Sequence, residues 1–298
     1  MIAHVGFSHL LAAIDVTQFA QQATEHLVLA VLVLTRLGMM LMAMPAVGVG
    51  VPRRVRALLA SLITLMLVPV VTDSANDLPQ FDSTILMAIA MAREAVVGML
   101  IGATVQLVIT GFQTGGEIMS GTGGMQLGDA VDPTTSSSMP TTARLIGLLV
   151  TAIFLSVGGH RWMIGALVQS FEALPAGQVV LHGSLLETIV TQLAGGMSAG
   201  VRIAAPVVAA LLLSNLVTGL ISRTLPQINV LAVGLPINAL TLLLVMALSI
   251  GSIGVIFQSE LAIALERLTE LFDTAVAVGG AAGGVADLAD PLVVPGGG

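Results

Sequence analysis

The stretch Leu220 to Ala239, reading LISRTLPQINVLAVGLPINA, constrains the fold more than any other part of the sequence. It is a basic, proline-containing break between two long apolar runs. A charge-free run from Ile203 to Ser222 enters it, and a second, from Thr224 to Ser259, leaves it. About twenty apolar residues suffice to cross a bilayer as a helix. Pro226 and Pro236 each lack a backbone donor and disfavour helix in the residue before them. Arg223 is the kind of charge that the positive-inside bias holds on the cytoplasmic side. The pattern predicts a membrane helical hairpin with a basic turn, its tip formed by Arg223, Pro226 and Gln227.

Composition points the same way. Charged residues make up only 9% of the chain and the mean hydropathy is +1.01, whereas a soluble domain carries about a quarter charged residues. The 33 Gly and 15 Met suit closely packed apolar helices, because small residues let helices approach one another in lipid. A net charge of −7 without an extended basic patch argues against nucleic-acid binding. All positive side chains are Arg. The absence of Cys excludes disulfides, thiol catalysis and Cys-ligated metal sites. The start, MIAHVGFSHL, has no positive region ahead of an apolar stretch and does not read as a cleavable signal peptide.

Along the chain, residues 7–24 have the spacing of an amphipathic helix. Apolar helices are expected over Leu27–Val49, over Ala57–Val71 with a stop at Pro69, and over Thr84–Gln113. A Gly-rich loop is expected over 111–133, followed by helices over Arg144–Val157 and Met163–Leu174. Leu185–Ser222 reads as one helix kinked at Pro206 or as two, and Pro236–Phe272 as the last helix. A Gly/Ala-rich tail over 274–298 reads as disordered. The class is all-α, built of membrane-type helical hairpins. Charge places the turn at Arg53, Arg54 and Arg56, the segment before Arg144 and the turn at Arg223 on the cytoplasmic side, with the N-terminus and the acidic turn at Asp73, Asp77 and Asp82 outside.

Several motifs in order carry a family resemblance over residues 27–258. They are Arg36-Leu37-Gly38 with Met44-Pro45, Val51-Pro52-Arg53-Arg54-Val55-Arg56-Ala57, Arg93-Glu94 with Gly98 and Gly102, and Gly116-Glu117-Ile118. Val131-Asp132-Pro133, Gly158-Gly159-His160, Ser170-Phe171 with Pro175, and Gly219 through Pro236 complete the series. In this order the chain resembles the FliR family of flagellar type III secretion; injectisome proteins of the same family look similar. The resemblance implies a non-catalytic export-gate subunit in the bacterial inner membrane, within the flagellar basal body, that helps form and close a polypeptide-conducting pore. It implies FliP-like and FliQ-like subunits and an FlhB-like switch protein as partners, with exported flagellar polypeptides passing through. It further implies a FliP-like part at 1–182 fused to a FliQ-like hairpin at 183–273.

The segment 111–133 has two readings. It is either an ordinary Gly-rich turn or, as the resemblance implies, a loop that plugs the pore. On the second reading Met119, Met125 and Leu127 supply a deformable apolar seal, and Gly123 and Gly124 supply hinge freedom. This chain departs from the family in having no Phe between Phe112 and Phe154. Charges inside apolar helices are costly and are often functional. Arg36, Arg93, Glu94, Glu117, Arg144, Arg202 and Arg223 qualify, either as functional groups or as members of structural salt bridges and helix ends.

Enzyme chemistry finds little support. His4, His9, His26, His160 and His182 have no helical metal-ligand spacing. Ser136, Ser137 and Ser138 lack a nearby His in sequence. The run GTGGMQLG lacks the Lys-Ser/Thr of a phosphate loop, and Asp129 and Asp132 read as a turn. No cofactor is expected. A small-solute secondary transporter, which also uses broken helices and intramembrane charges, is the competing class.

Overall fold

The structure is a computed structural model describing residues 16–48, 51–74, 81, 83–124, 139–179, 184–225, 227 and 229–287. The described residues form helices and connecting turns, with no strand among them: α1 (Val16–Ala43), α2 (Pro45–Gly48), α3 (Arg53–Ser74), α4 (Thr84–Gly123), α5 (Thr141–Ser156), α6 (Gly159–Ala173), α7 (Ser184–Thr224) and α8 (Val230–Asp287). Five of them are long and apolar enough to cross a membrane, or six spans if α5 and α6, bent by 68°, count as one. The chain is an all-α membrane protein.

Helix α4 is the centre, and its glycines explain why. Gly98 faces the backbone of Arg36 on α1, and a Cβ there would stand 1.9 Å from the Arg36 carbonyl oxygen. Gly102 faces Met40 and Ala43 of the same helix. One further turn of glycines meets α7, where a Cβ on Gly111 would lie 2.1 Å from Gly196 and one on Gly115 2.4 Å from the Gly200 carbonyl oxygen. Gly196 and Gly200 return the contact against Leu107 and Gly111. Three Gly-xxx-Gly pairs (98/102, 111/115 and 196/200) therefore place backbone on backbone, the packing that substitutes for the hydrophobic effect between helices in lipid. Gly116 completes the set by seating Ala143 of α5.

These contacts fix direction. α1 and α7 run parallel to α4, since Arg36, Met40, Gly196 and Gly200 meet successively later residues of it. α5 runs antiparallel, with Ala143 at Gly116 and Gly147 at Gln113. α8 returns along α7, as Ser214 bonds Asn238 and Gln192 bonds the Ala264 carbonyl. Phe112 of α4 and Phe257 of α8 meet edge to face at 5.5 Å, inside a core of Leu, Ile, Val, Met and Phe.

Local structure differs from the sequence expectation at four places. The loop expected from Gly111 begins only after Gly123, because packing against α7 and α5 holds the glycines helical. Pro69 does not stop α3, which runs through it to Ser74; its missing donor costs one bond on an exposed side of the helix. Pro236 lies inside α8, which starts at Val230, whereas α7 is one helix through Pro206, one of the two forms expected. α8 also continues to Asp287, into the segment expected as a disordered tail, with no proline to break it before Pro291. The rest of that tail and residues 7–15 lie outside the described residues.

A direct test is substitution of Gly111 by Val. The new side chain meets backbone, so α4 and α7 must separate, and we expect a loss of about 1–3 kcal/mol or more, as for overpacked cores. Gly251→Ala, where a Cβ meets nothing within 4 Å, is expected to be neutral or stabilising. Thermal unfolding of the detergent-solubilised variants reads the difference.

Candidate functional site

Two polar clusters interrupt the apolar packing. The first is centred on Arg36, which is fully buried although it sits in a span-length apolar helix. Burying a guanidinium is tolerable only if every donor finds an acceptor and the charge is balanced. Its Nε donates to Glu94 Oε2 at 2.5 Å. Nη1 donates to the Ser170 carbonyl oxygen at 2.9 Å and to its Oγ at 3.0 Å, and Nη2 to the Leu174 carbonyl oxygen at 2.9 Å. Glu94, also fully buried, uses Oε1 to accept the Gly177 amide at 2.8 Å. The Phe171 ring lies 4.0 Å below the guanidinium carbon, a cation–π arrangement. Gly98 is what lets α1 come close enough for this pair to form, and Gly177 supplies the positive φ of 84° that aims its amide at the carboxylate. The cluster joins α1, α4, α6 and the turn after α6.

The second cluster stands at the C-terminal end of α4. Gly124 caps the helix in the left-handed conformation, φ 72°. Asn238 of α8 donates to the Gly123 carbonyl oxygen at 3.2 Å and to Asn215 Oδ1 at 2.8 Å, and it accepts from Ser214 Oγ at 2.8 Å. Asn215 donates to the Thr122 carbonyl oxygen at 3.2 Å. The last carbonyls of α4, which have no intrahelical partner, are thus satisfied by the α7/α8 hairpin. An open recess of about 520 Å³ lies here, bounded by Gly121, Gly123, Asn215, Thr218, Leu235 and Asn238.

The candidates read from sequence fall out as follows. Glu94 joins the first cluster. Arg93, its neighbour, is exposed and donates to the Val179 carbonyl oxygen at 3.3 Å. Glu117 is half-buried on α4 and has no ion pair among the described residues. Met119 is on α4 with its side chain in the core, and Gly123 and Gly124 form the end of that helix. Met125 and Leu127 lie outside the described residues. At the hairpin tip Arg223 and Gln227 are exposed, while Pro226 is outside the described residues. Arg144 is exposed at the start of α5, and Arg202 pairs with Glu260 across the hairpin at 3.4 Å. The pairing of Arg36 with Glu94 is a tertiary feature; its signal in the sequence is a cation and an anion inside two apolar helices. Ser214, Asn215 and Asn238, whose only signal in the sequence is polarity within otherwise apolar runs, build the second cluster.

The sequence model of the family described as bacterial export proteins, family 1, matches residues 27–263. The flagellar biosynthetic protein FliR of Caulobacter vibrioides is 30% identical over 246 residues, covering 82% of this chain and 94% of that protein. FliR of Escherichia coli is 32% identical over 190 residues, covering 63% of this chain and 71% of its own length. The surface presentation of antigens protein SpaR of Shigella flexneri is 30% identical over 151 residues, covering 50% and 58%.

Breaking the Arg36 cluster exposes the cost of an unpaired buried charge. Glu94→Leu or Arg36→Leu alone is expected to destabilise by about 3–5 kcal/mol. The double variant is expected to lose much less than the sum, because neither charge is then orphaned. Unfolding of the four proteins in one detergent closes the cycle.

Proposed function

Because the chain belongs to family 1 of the bacterial export proteins, we propose that it is a non-catalytic subunit of the flagellar type III protein-export gate in the bacterial inner membrane. The flagellar form is favoured over other branches because the flagellar relative matches 82% of the chain and the surface-presentation relative 50%.

The observation that carries the subunit reading is the stagger of apolar helices along α4. α1 reaches Gly102 with Ala43, whereas the α7/α8 hairpin is clamped to Thr122 and Gly123. At about 1.5 Å per residue the two levels are roughly 30 Å apart, a full hydrocarbon thickness. α4 itself has 40 residues, about 60 Å. A single bilayer cannot cover both levels while the helices stand near its normal. Yet the upper level exposes Leu212, Leu213, Leu216 and Leu220 on α7 and Leu240, Leu243, Leu244 and Leu248 on α8. Apolar surface of that extent outside lipid is stable only against protein. FliP-like and FliQ-like subunits are the partners we assign to it, with the α7/α8 hairpin as the FliQ-like element and the preceding helices as the FliP-like part. The segment after Gly124, with Met125 and Leu127, is assigned to the pore side, a placement that rests on the family resemblance and on its start beside the hairpin. The basic tip at Arg223 is assigned to the approach of exported polypeptides and an FlhB-like switch protein.

Affinity capture of the tagged chain from solubilised membranes tests the assembly. FliP-like and FliQ-like proteins are expected to co-purify, and Leu216→Glu with Leu244→Glu is expected to release them. A monodisperse free chain in wild-type cells rejects the reading. For the tip, a cysteine at Thr224 is expected to react with a membrane-impermeant thiol reagent in inverted vesicles and not in intact spheroplasts.

A further inference from the structure

We propose that the groove between α1 and α3 is a binding site for an anionic phospholipid, with one acyl chain in the groove and the phosphate held at its arginine-lined mouth.

α1 and α3 form the part of the chain whose lengths match a bilayer. Their apolar spans, Thr24–Ala43 and Arg53–Thr72, are 20 residues each, about 30 Å apiece. The first turn of α3 carries Arg53, Arg54 and Arg56, and it stands at headgroup level if the two helices cross the hydrocarbon. Between them runs an open groove of about 380 Å³ lined by Leu34, Gly38, Met39 and Met42 of α1, with Arg53 and Arg56 at one end. Its wall is overwhelmingly apolar. Gly38 leaves its wall open, since a Cβ there would meet nothing within 4 Å. Gly38 is thus unlike Gly98 or Gly111, which another backbone fills: no described residue fills the space beside it.

Charge selects the occupant. Arg53 and Arg54 are exposed and have no ion pair among the described residues. Arg56 packs back on the turn, donating to the Val51 carbonyl oxygen at 3.2 Å. A protein helix filling this groove would need an acidic residue placed at its mouth and apolar residues below. A phospholipid carries both in one molecule and in the right order along the membrane normal. Basic pockets between membrane helices on the cytoplasmic side take anionic headgroups in this way, and guanidinium groups suit phosphate because their forked donors match its oxygens. The thioethers of Met39 and Met42 offer an adaptable apolar wall to a flexible chain.

The test uses the full chain, isolated from membranes in mild detergent with the subunits that accompany it. Native mass spectrometry then reads retained lipid after exchange into an equimolar mixture of phosphatidylglycerol and phosphatidylcholine. Wild type is expected to retain phosphatidylglycerol preferentially. Arg53→Gln is expected to reduce that preference about fivefold, as is Arg54→Gln, from the electrostatic contribution of one surface arginine. Gly38→Leu fills open space without touching backbone, so the chain folds, and it is expected to reduce retention of phosphatidylglycerol by obstructing the acyl chain. A diazirine amino acid at Met39 is expected to give a lipid adduct on illumination. Equal retention of the two lipids, unchanged retention in Gly38→Leu, or adducts at position 39 to protein alone would overturn the proposal; the last would assign the groove to a neighbouring subunit.

Discussion

The rest of the molecule depends on how closely other helices can approach α4. In lipid there is no gain from hiding one apolar side chain against another, so helix pairs are held by close van der Waals contact and by hydrogen bonds. Gly98 and Gly102 bring α1 onto one stretch of α4, and Gly111 and Gly115 bring α7 onto the next. Each contact has backbone on both sides. No rotamer change can relieve an added Cβ there, so these positions fix interaxial distance and register together. The parallel direction of α1, α4 and α7 follows, and with it the direction of all three basic segments expected on the cytoplasmic side.

The Arg36 cluster makes sense only within that frame. Its charge pair forms because Gly98 removes the side chain that would hold the Arg36 backbone away from α4. A buried ion pair is weak evidence for stability, since the desolvation penalty offsets most of the attraction. Its effect here is on specificity. The guanidinium takes oxygens from α4, α6 and the turn after α6 at once, and any other register of these helices leaves a charge unpaired in an apolar surrounding. The glycines set how near the helices come, and the charges select one arrangement among those that distance permits. The Asn238 cluster has a parallel role at the other end of α4, where the hairpin supplies donors to the carbonyls of a helix end.

Much of this was legible in the sequence, and the limits have physical causes. Apolar runs of span length and the basic breaks between them gave the helices and their class, because hydropathy and charge act locally. The start of the hairpin break at Arg223 was legible for the same reason. The segment from Gly111 to Gly123 was not, since glycine weakens an isolated helix and only contact with Gly196, Gly200 and Ala143 makes the helical form the stable one. Spacing did hold a clue: Gly-xxx-Gly recurs at 98/102, 111/115 and 196/200, and paired motifs of that kind mark close crossings. Pro69 reads as a stop, yet a long apolar helix tolerates one missing bond. Arg36 and Glu94 each stood out as buried charge, but their partnership is a tertiary fact that separation along the chain conceals.

The stagger along α4 decides how the two apolar surfaces of the chain differ. The α1/α3 hairpin has the length of a bilayer and ends in arginines, so its exposed Leu58, Leu62 and Leu65 suit acyl chains. The outer half of the α7/α8 hairpin has comparable apolar exposure but is displaced along α4 by about a membrane thickness. If lipid covered the second surface, the first would stand in water with its arginine turn on the wrong level; if lipid covers the first, the second needs protein. The second arrangement keeps Arg53, Arg54 and Arg56 at headgroup depth and leaves exposed Arg202, paired with buried Glu260 on the hairpin, outside the hydrocarbon. That arrangement requires that the chain stand as one element of a larger wall.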